Sequence, residues 1–288
     1  MNSTTEETML TALLKLLDDP DPEVFSQIET KVIEIGSTAL PYLKNAAKKN
    51  IDQLSDDRIQ TLLSKIQFNK TLQALTDWKN KGDAKLIDAA VILSEYQYPE
   101  LSRTDLYLQL EKLKKDVWLE LNEDFTPLEK IHILNHVLYK IYNYKGNKTL
   151  ISVPQNSLLK DLLEKRQGNS VILSILYMEI AQSLDLPVLG VNLPENFILA
   201  YINSNELLSD SRVMFYINPF NNGIVFTKED IDTFIKQLDL EPKEEYFSPS
   251  TSLNTLKRLM KELIDSYELS GDLIRSNELK MMMSSLKN

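Results

Sequence analysis

The chain of 288 residues contains no cysteine, only two histidines and only seven glycines. Without cysteine, the protein has no disulfide, no thiolate zinc site and no cysteine nucleophile. Glycine is the usual residue in tight turns with positive φ, so its scarcity favours long helices over a turn-rich β fold. A chain of this length buries a large core, and we expect two or three sub-domains.

Positive charge is also scarce, with 32 Lys and Arg residues against 42 Asp and Glu residues and a net charge of −10. No run of five basic residues occurs, and phosphate affinity depends mainly on Lys and Arg, so we expect no nucleic-acid partner. No apolar run reaches the ~18 residues of a membrane span. The polar, acidic stretch Met1–Glu7 does not resemble a signal peptide, so we expect a cytoplasmic protein without membrane contact.

Helical patterns dominate the first half of the sequence. Asp21 and Pro22 are a cap and a first-turn proline, and an apolar stripe then follows up to Gly36. This unit, continued to Pro41, resembles one HEAT-type helical repeat, and we find no second copy. Further helices are predicted at 55–79, 83–95, 103–122 and 126–143, and Thr126 to Glu129 form a capping box.

The most informative stretch starts at Gly168-Asn169-Ser170. A short helix at 156–166 is predicted to end at Gly168, and a helix that is apolar on nearly every face begins at Ser170 and continues to Ala181, so we expect it to be buried. Three β-rich runs follow and should form one antiparallel sheet packed on that helix. They are Val188–Leu193, Phe197–Ile202 and Val213–Ile217.

The end of the chain returns to helix. Pro219 to Gly223 is a turn signal, Thr227 to Asp230 cap a helix, and 239–250 is a linker. Two final helices, at about 251–269 and 272–285, resemble a single tetratricopeptide-type hairpin.

His132 and His136 are the first candidates for a functional site. They lie four residues apart on one helix face, a spacing that suits a metal. However, no HExxH motif is present, and both lie opposite the apolar stripe of their helix. That stripe consists of Ile131, Leu134, Val137, Leu138 and Ile141. We therefore interpret the histidines as polar surface or as an inter-domain contact, and we expect no metal.

Ser170 is the second candidate, as a nucleophile at a helix start. The helix end favours an anion but is too weak to ionise a hydroxyl, which needs an adjacent base. The base would have to be Glu195, a lysine, or a histidine from the helical half. The simpler interpretation is that Asn169 or Ser170 caps the helix.

Three motifs together resemble a known family. They are Lys165-Arg166-Gln167-Gly168-Asn169-Ser170 with the apolar helix to Tyr177, Leu186-Pro187 through Leu193-Pro194-Glu195-Asn196-Phe197, and Tyr216-Ile217-Asn218-Pro219-Phe220-Asn221-Asn222-Gly223. The family is the transglutaminase-like, tetratricopeptide-containing family named "regulator of sirC expression". The resemblance covers about residues 84–285, and the first 80 residues look like the HEAT-like extension of longer members.

The resemblance implies a site that has lost its chemistry. Active transglutaminase-like enzymes use a Cys-His-Asp triad, and its positions fall on Ser170, Asn196 and Asn218 of this sequence. Asparagine neither accepts a proton at neutral pH nor carries the charge that orients a histidine. Together with Gly168, Asn169 and Glu195, these three residues are the candidates for lining a remnant cleft.

These observations predict a mostly helical α+β protein. We expect a HEAT-like region at 1–80, a helical domain at 81–147, a degenerate transglutaminase-like core at 148–245 and a helical hairpin at 246–288. The expected function is a non-catalytic interaction or regulatory module that holds a protein or peptide and needs no cofactor. Two alternatives are a hydrolase or acyl transferase that uses Ser170, and a module that binds a small ligand in the same cleft.

Overall fold

The computed structural model describes residues 3–48, 52–149, 153–203 and 213–286. The chain forms two compact units, Met1–Asp77 and Trp78–Asn288. Met1 and Asn2, which belong to the acidic start expected to differ from a signal peptide, lie outside the described residues. The four-part division into 1–80, 81–147, 148–245 and 246–288 stays a prediction.

The first unit is helical. It contains helices α1 Ser3–Leu14, α2 Pro22–Ile35 and α3 Leu40–Ala47, and α4 Gln53–Asn80 begins in it. Asp21 caps α2 as predicted, because its side chain accepts a hydrogen bond from the Glu23 N–H at 2.8 Å. Leu10, Val32, Leu43 and Leu62 are among the fully buried side chains of its core.

The second unit opens with three helices, α5 Leu86–Gln97, α6 Arg103–Glu120 and α7 Pro127–Asn135. The predicted capping box at the start of α7 is present, with Thr126 and Glu129 bonding each other's backbone. After α7 the chain continues as a π-helical segment, His136–Ile141. This wider turn departs from the 3.6-residue period, and Ile141 is half exposed, so its assignment to the buried stripe is wrong.

The rest of the second unit combines five helices with two small sheets. The helices are α8 Leu159–Lys165, α9 Ser170–Gln182, α10 Lys228–Gln237, α11 Ser252–Ser270 and α12 Leu273–Ser285. Strands β1 Lys145–Gly146 and β2 Gln167–Gly168 form a short parallel pair. The larger sheet contains β3 Val188–Leu193, β4 Asn196–Ile202, β5 Val213–Asn218 and β6 Ile224–Phe226.

The larger sheet confirms the predicted antiparallel arrangement, with the strand order β3-β4-β5-β6. Its side chains alternate between two covered faces. One face carries Ile198, Ala200 and Tyr216, which form a core with Ile231 and Ile235 of α10. Strand β6 was not predicted, because three residues are too few to show a period of two.

Helix α9 is buried on nearly every side, as its apolar sequence predicts. All residues from Val171 to Met178 are buried, and Ile180 and Ala181 are buried too. The helix packs on β3 and β4 and on helices α5, α8 and α11. Throughout the part of the chain that the structure describes, no helix has both the length and the hydrophobicity to cross a bilayer.

The approach to α9 differs from the prediction of one helix at 156–166. Pro154–Ser157 form a 3₁₀ turn, and α8 begins only at Leu159. The helix then ends at Lys165, where Arg166 adopts the left-handed conformation with φ 60°, so the C-cap is Arg166 and not Gly168. Position 168 requires glycine for a different reason, because there is no room for a side chain: a Cβ there would lie 2.7 Å from Cγ2 of Ile172.

Shortening a buried side chain of the central helix α9 should lower the stability of the protein. Leu173→Ala or Leu176→Ala removes a side chain that is at most 3% exposed, so we expect a loss of about 2–5 kcal/mol in the free energy of unfolding. Denaturant unfolding of the full chain measures it. Leu119→Ala in α6 is the control, since Leu119 is 63% exposed and should cost less than about 0.5 kcal/mol. Equal losses at both sites would contradict the burial of α9.

The tyrosine phenols of the second unit should ionise at a higher pH in the folded protein than in the unfolded chain. Burial raises the pKa of Tyr142, Tyr144, Tyr216 and Tyr267 to about 12. In the unfolded chain these phenols ionise near their ordinary pKa of about 10. The buried, neutral phenols therefore contribute fully to the stability of the folded state below pH 10, and this contribution is lost as the pH rises from 10 to 12. Phenolate absorbance of native and urea-unfolded protein measures both curves, and coincident curves would show that these phenols are not desolvated.

Candidate functional site

Ser170 is the first residue of α9, but it does not cap the helix. The cap is Asn169, whose side-chain oxygen accepts a hydrogen bond from the Ile172 N–H at 2.9 Å. The Ser170 hydroxyl oxygen instead accepts a hydrogen bond from the backbone N–H of Phe197, at 3.3 Å across to strand β4. The Ser170 side chain is thus free of capping and is directed to the start of β4.

Asn196 lies beside Ser170 at that point. Its side-chain oxygen also accepts from the Phe197 N–H, at 3.0 Å, so the two polar side chains share one donor. Within the residues that the structure describes, no histidine and no carboxylate is hydrogen-bonded to the Ser170 hydroxyl. The arrangement therefore supplies Ser170 with a hydrogen-bond donor but with no base.

Glu195, the proposed unusual base, lies in the two-residue turn between β3 and β4. It is exposed and adopts a left-handed conformation with φ 58°. Pro194 precedes it, and a proline followed by positive φ is the pattern of a type II turn. This position is commonly glycine, so Glu195 keeps a strained backbone at the edge of the site.

Asn218 is held by its own turn. Its side-chain oxygen accepts from the Asn221 N–H at 3.2 Å and so caps the 3₁₀ turn Pro219–Asn221. It follows Tyr216 by two residues, so the alternation of β5 places it on the sheet face covered by α10. No hydrogen bond joins Asn218 to Asn196 in the described parts of the chain. The structure therefore brings Ser170 and Asn196 to one shared donor and leaves Asn218 in a local turn.

A polar network lies behind the Gly168-Asn169-Ser170 motif. The Asn169 amide donates to the Ser157 hydroxyl at 2.7 Å, and the Asn169 N–H donates to the Asn156 carbonyl at 2.8 Å. Asn147 donates from its side chain to that of Asn156 at 2.9 Å and from its N–H to the Gly168 carbonyl at 3.0 Å. Asn156 and Ser157 are buried, so these bonds replace the water that their polar groups lost.

The turn after Asn218 is fixed to the helices by Asn135. The Asn135 amide donates to the Gly223 carbonyl at 2.8 Å, and its oxygen accepts from the Tyr177 hydroxyl at 2.9 Å. Gly223 has φ 71°, and a Cβ there would lie 2.0 Å from the Asn135 side-chain oxygen. Asn135 therefore connects α7, α9 and the turn, and it requires glycine at position 223.

Arg166 places a positive charge among aromatic rings close to the motif. Its guanidinium donates to the Tyr144 hydroxyl and lies 5.3 Å and 4.8 Å from the ring centroids of Tyr142 and Tyr144. Burial raises the pKa of Tyr144 to about 12 although the Arg166 charge opposes the shift. The phenol thus stays neutral at physiological pH and accepts the guanidinium N–H.

The two histidines lie apart from this site. His132 and His136 are both exposed, which confirms their assignment to the polar side of the helix. Among the residues described, no three His, Cys, Asp or Glu side chains converge in a way that could hold a metal ion. That the protein needs no metal or cofactor stays a prediction.

Several residues of this site were not predicted from the sequence. The motifs proposed Ser170, Asn196 and Asn218, but they did not indicate Asn135, Asn147, Asn156 or Ser157, because each of these acts through a hydrogen bond to another segment. Asn135, for example, contacts Gly223 88 residues away. The sequence contained one local signal for this contact. Asn221-Asn222-Gly223 is typical of a turn with positive φ, and such a turn is usually held by contacts with the rest of the fold.

The comparison with protein families agrees with this geometry. The model of the "Transglutaminase-like superfamily" matches residues 104–261, a range that includes α9, the larger sheet, Ser170, Asn196 and Asn218. The chain belongs to this superfamily.

Individual relatives give more detail. A protein of Xylella fastidiosa (strain Temecula1), named UPF0162 protein, is 28% identical over 152 residues, which cover 51% of this chain and 50% of the relative. Protein SirB1 of Salmonella typhimurium and UPF0162 protein YchA of Escherichia coli K12 are each 24% identical over 213 residues. That match covers 74% of this chain and 76% and 75% of those relatives. The chain thus spans about half the length of the Xylella relative. No solved structure matches the chain.

The contact between Asn135 and Gly223 can be tested with a matched glycine. Gly223→Ala and Gly271→Ala both place a Cβ on a residue with positive φ, which costs about 1–2 kcal/mol. Gly271 has nothing within 4 Å of such a Cβ, whereas Gly223 meets Asn135, so Gly223→Ala should lose about 1–3 kcal/mol more. Denaturant unfolding measures both losses. Equal losses would mean that the turn is not packed on Asn135.

Proposed function

We propose that this chain is a non-catalytic member of the transglutaminase-like superfamily that acts as an interaction or regulatory module. The observation that supports it most is the environment of Ser170. Its hydroxyl accepts a backbone N–H that Asn196 also uses, and no base is bonded to it within the described ranges. A hydroxyl without a base is a poor nucleophile.

The residue types support the same proposal. Where active relatives carry Cys, His and Asp, we place Ser170, Asn196 and Asn218, and the chain has no cysteine at all. Serine and asparagine preserve hydrogen bonding, which suits a surface that holds a ligand without transforming it. That these positions are equivalent to the triad is part of the proposal, as is the cleft formed with Gly168, Asn169 and Glu195.

The relatives support a regulatory role only by their names, since one is named SirB1 and the family named "regulator of sirC expression" is the one that the motifs resemble. We further propose that α11 and α12 form a tetratricopeptide-like hairpin and that residues 1–80 form a HEAT-like unit. Helical hairpins of these kinds commonly present surfaces for protein partners. The proposed partner is a protein or peptide in the cytoplasm, without nucleic acid or membrane.

The catalytic alternative is tested by comparing the wild type with Ser170→Ala. We expect both to remain at background in amine-incorporation and peptidase assays, because the hydroxyl lacks a base. Turnover by the wild type that disappears in Ser170→Ala would establish a serine-dependent enzyme and refute the proposal.

Two restored variants serve as controls for that comparison. Ser170→Cys alone gains a thiol without a base, whereas Ser170→Cys with Asn196→His and Asn218→Asp gains the whole triad. If the assignment of the positions is right, the triple variant should react faster with iodoacetamide, since a paired thiol has a lower pKa. Equal rates would remove the support for the assigned positions.

The binding part of the proposal is tested at the exposed Glu195. A partner recovered from cell extract with the wild type should be lost with Glu195→Lys, which reverses a charge at the edge of the cleft. Glu111→Lys makes the same charge change on an exposed position of α6 and should retain it. A partner retained by both variants would not be bound by this cleft.

A further inference from the structure

A concave site lies away from Ser170, where the linker before α11 meets β3. It is a cavity of about 490 Å³, within the size range of small-molecule pockets. It is lined by Asn192 of β3, Glu245 and Ser248 of the linker, the α11 N-cap Thr251 and Met283 of α12, and most of its described lining residues are of polar type. None of these residues belongs to the proposed remnant cleft.

Three cations of α11 line this cavity, Lys257, Arg258 and Lys261. Lys257 and Lys261 are four residues apart, so they share one helix face. Arg258 is already engaged, because it donates to Glu262 at 2.9 Å and to Asn192 at 3.1 Å. Within the described ranges, neither Lys257 nor Lys261 has an acidic partner.

The charges of the cavity therefore do not cancel. Among the described residues of its lining, Glu245 is the one with an acidic side chain, and its carboxylate is 3.9 Å from Lys243. By contrast, several lysines of the same unit are paired with carboxylates, such as Lys85 with Glu179 and Lys160 with Glu164. Two unpaired ammonium groups in one cavity of a chain with net charge −10 indicate an anionic ligand.

The chemistry of the lining indicates which anion. Hydroxyl and amide groups of Ser248, Ser250 and Asn254 add neutral donors beside the two ammonium groups. A phosphate group offers three acceptor oxygens and a charge of about −1.5 to −2, which matches two unpaired lysines better than a single carboxylate does. We propose that this cavity binds a small phosphate-bearing molecule, with Lys257 and Lys261 as its principal charge partners.

Calorimetric titration of the full chain with inorganic phosphate and with pyrophosphate tests the proposal at constant ionic strength. We expect saturable binding with one site per chain. Lys257→Gln with Lys261→Gln should weaken it about tenfold. The matched control is Lys114→Gln with Lys130→Gln, because these lysines line another cavity of about 450 Å³ and the charge change is the same. The control should retain the affinity of the wild type.

Three results would overturn the proposal. One is the absence of saturable binding by either probe, and another is an equal loss in both double variants, which would indicate only a general effect of net charge. The third is a phosphoserine peptide that binds about tenfold or more tightly than pyrophosphate, which would assign the cavity to a phosphorylated protein. Since Lys257 is partly buried, the exposed Lys261→Gln variant is measured alone as well, and it should show a weaker loss in the same direction.

Discussion

The burial of α9 is the constraint on which the second unit depends. A helix that is apolar on nearly every face cannot lie on a surface, so it needs a sheet on one side and helices on the others. Strands β3 and β4 and helices α5, α8 and α11 supply that surround. Because α9 packs on β4, its first residue Ser170 lies near the start of that strand and accepts a hydrogen bond from the Phe197 N–H.

Burial of α9 also leaves polar groups at its N-terminus that need hydrogen-bond partners, because the first backbone N–H groups have none within the helix. Asn169 satisfies one of them, and its remaining groups are bonded to Ser157 and Asn156. Asparagine and serine side chains carry this network without any net charge. The network thus holds the start of α9 in place, and within the described residues the Ser170 hydroxyl is hydrogen-bonded only to the Phe197 N–H.

Membership of the superfamily is compatible with the non-catalytic role that we propose. The fold depends on the buried helix, the sheet and the turn after Asn218, and the Asn135–Gly223 contact holds that turn whether or not a triad is present. Chemistry depends on a few side chains placed on the fold. A chain can therefore keep the architecture of an enzyme family and use its surfaces for binding alone, which is what we propose for the remnant cleft.

The sequence by itself determined the features that depend on neighbouring residues: the capping box at Thr126, the apolar helix from Ser170, and the strands of β-branched and aromatic residues after it. These are local, because capping and periodicity involve residues a few positions apart. Only the tertiary structure decided which segments pair with one another. The parallel pairing of β1 with β2 joins segments 22 residues apart, so no local pattern shows it. The same holds for the shared donor at Phe197, since a hydrogen bond between residues 27 positions apart exists only after the core that contains α9 has formed.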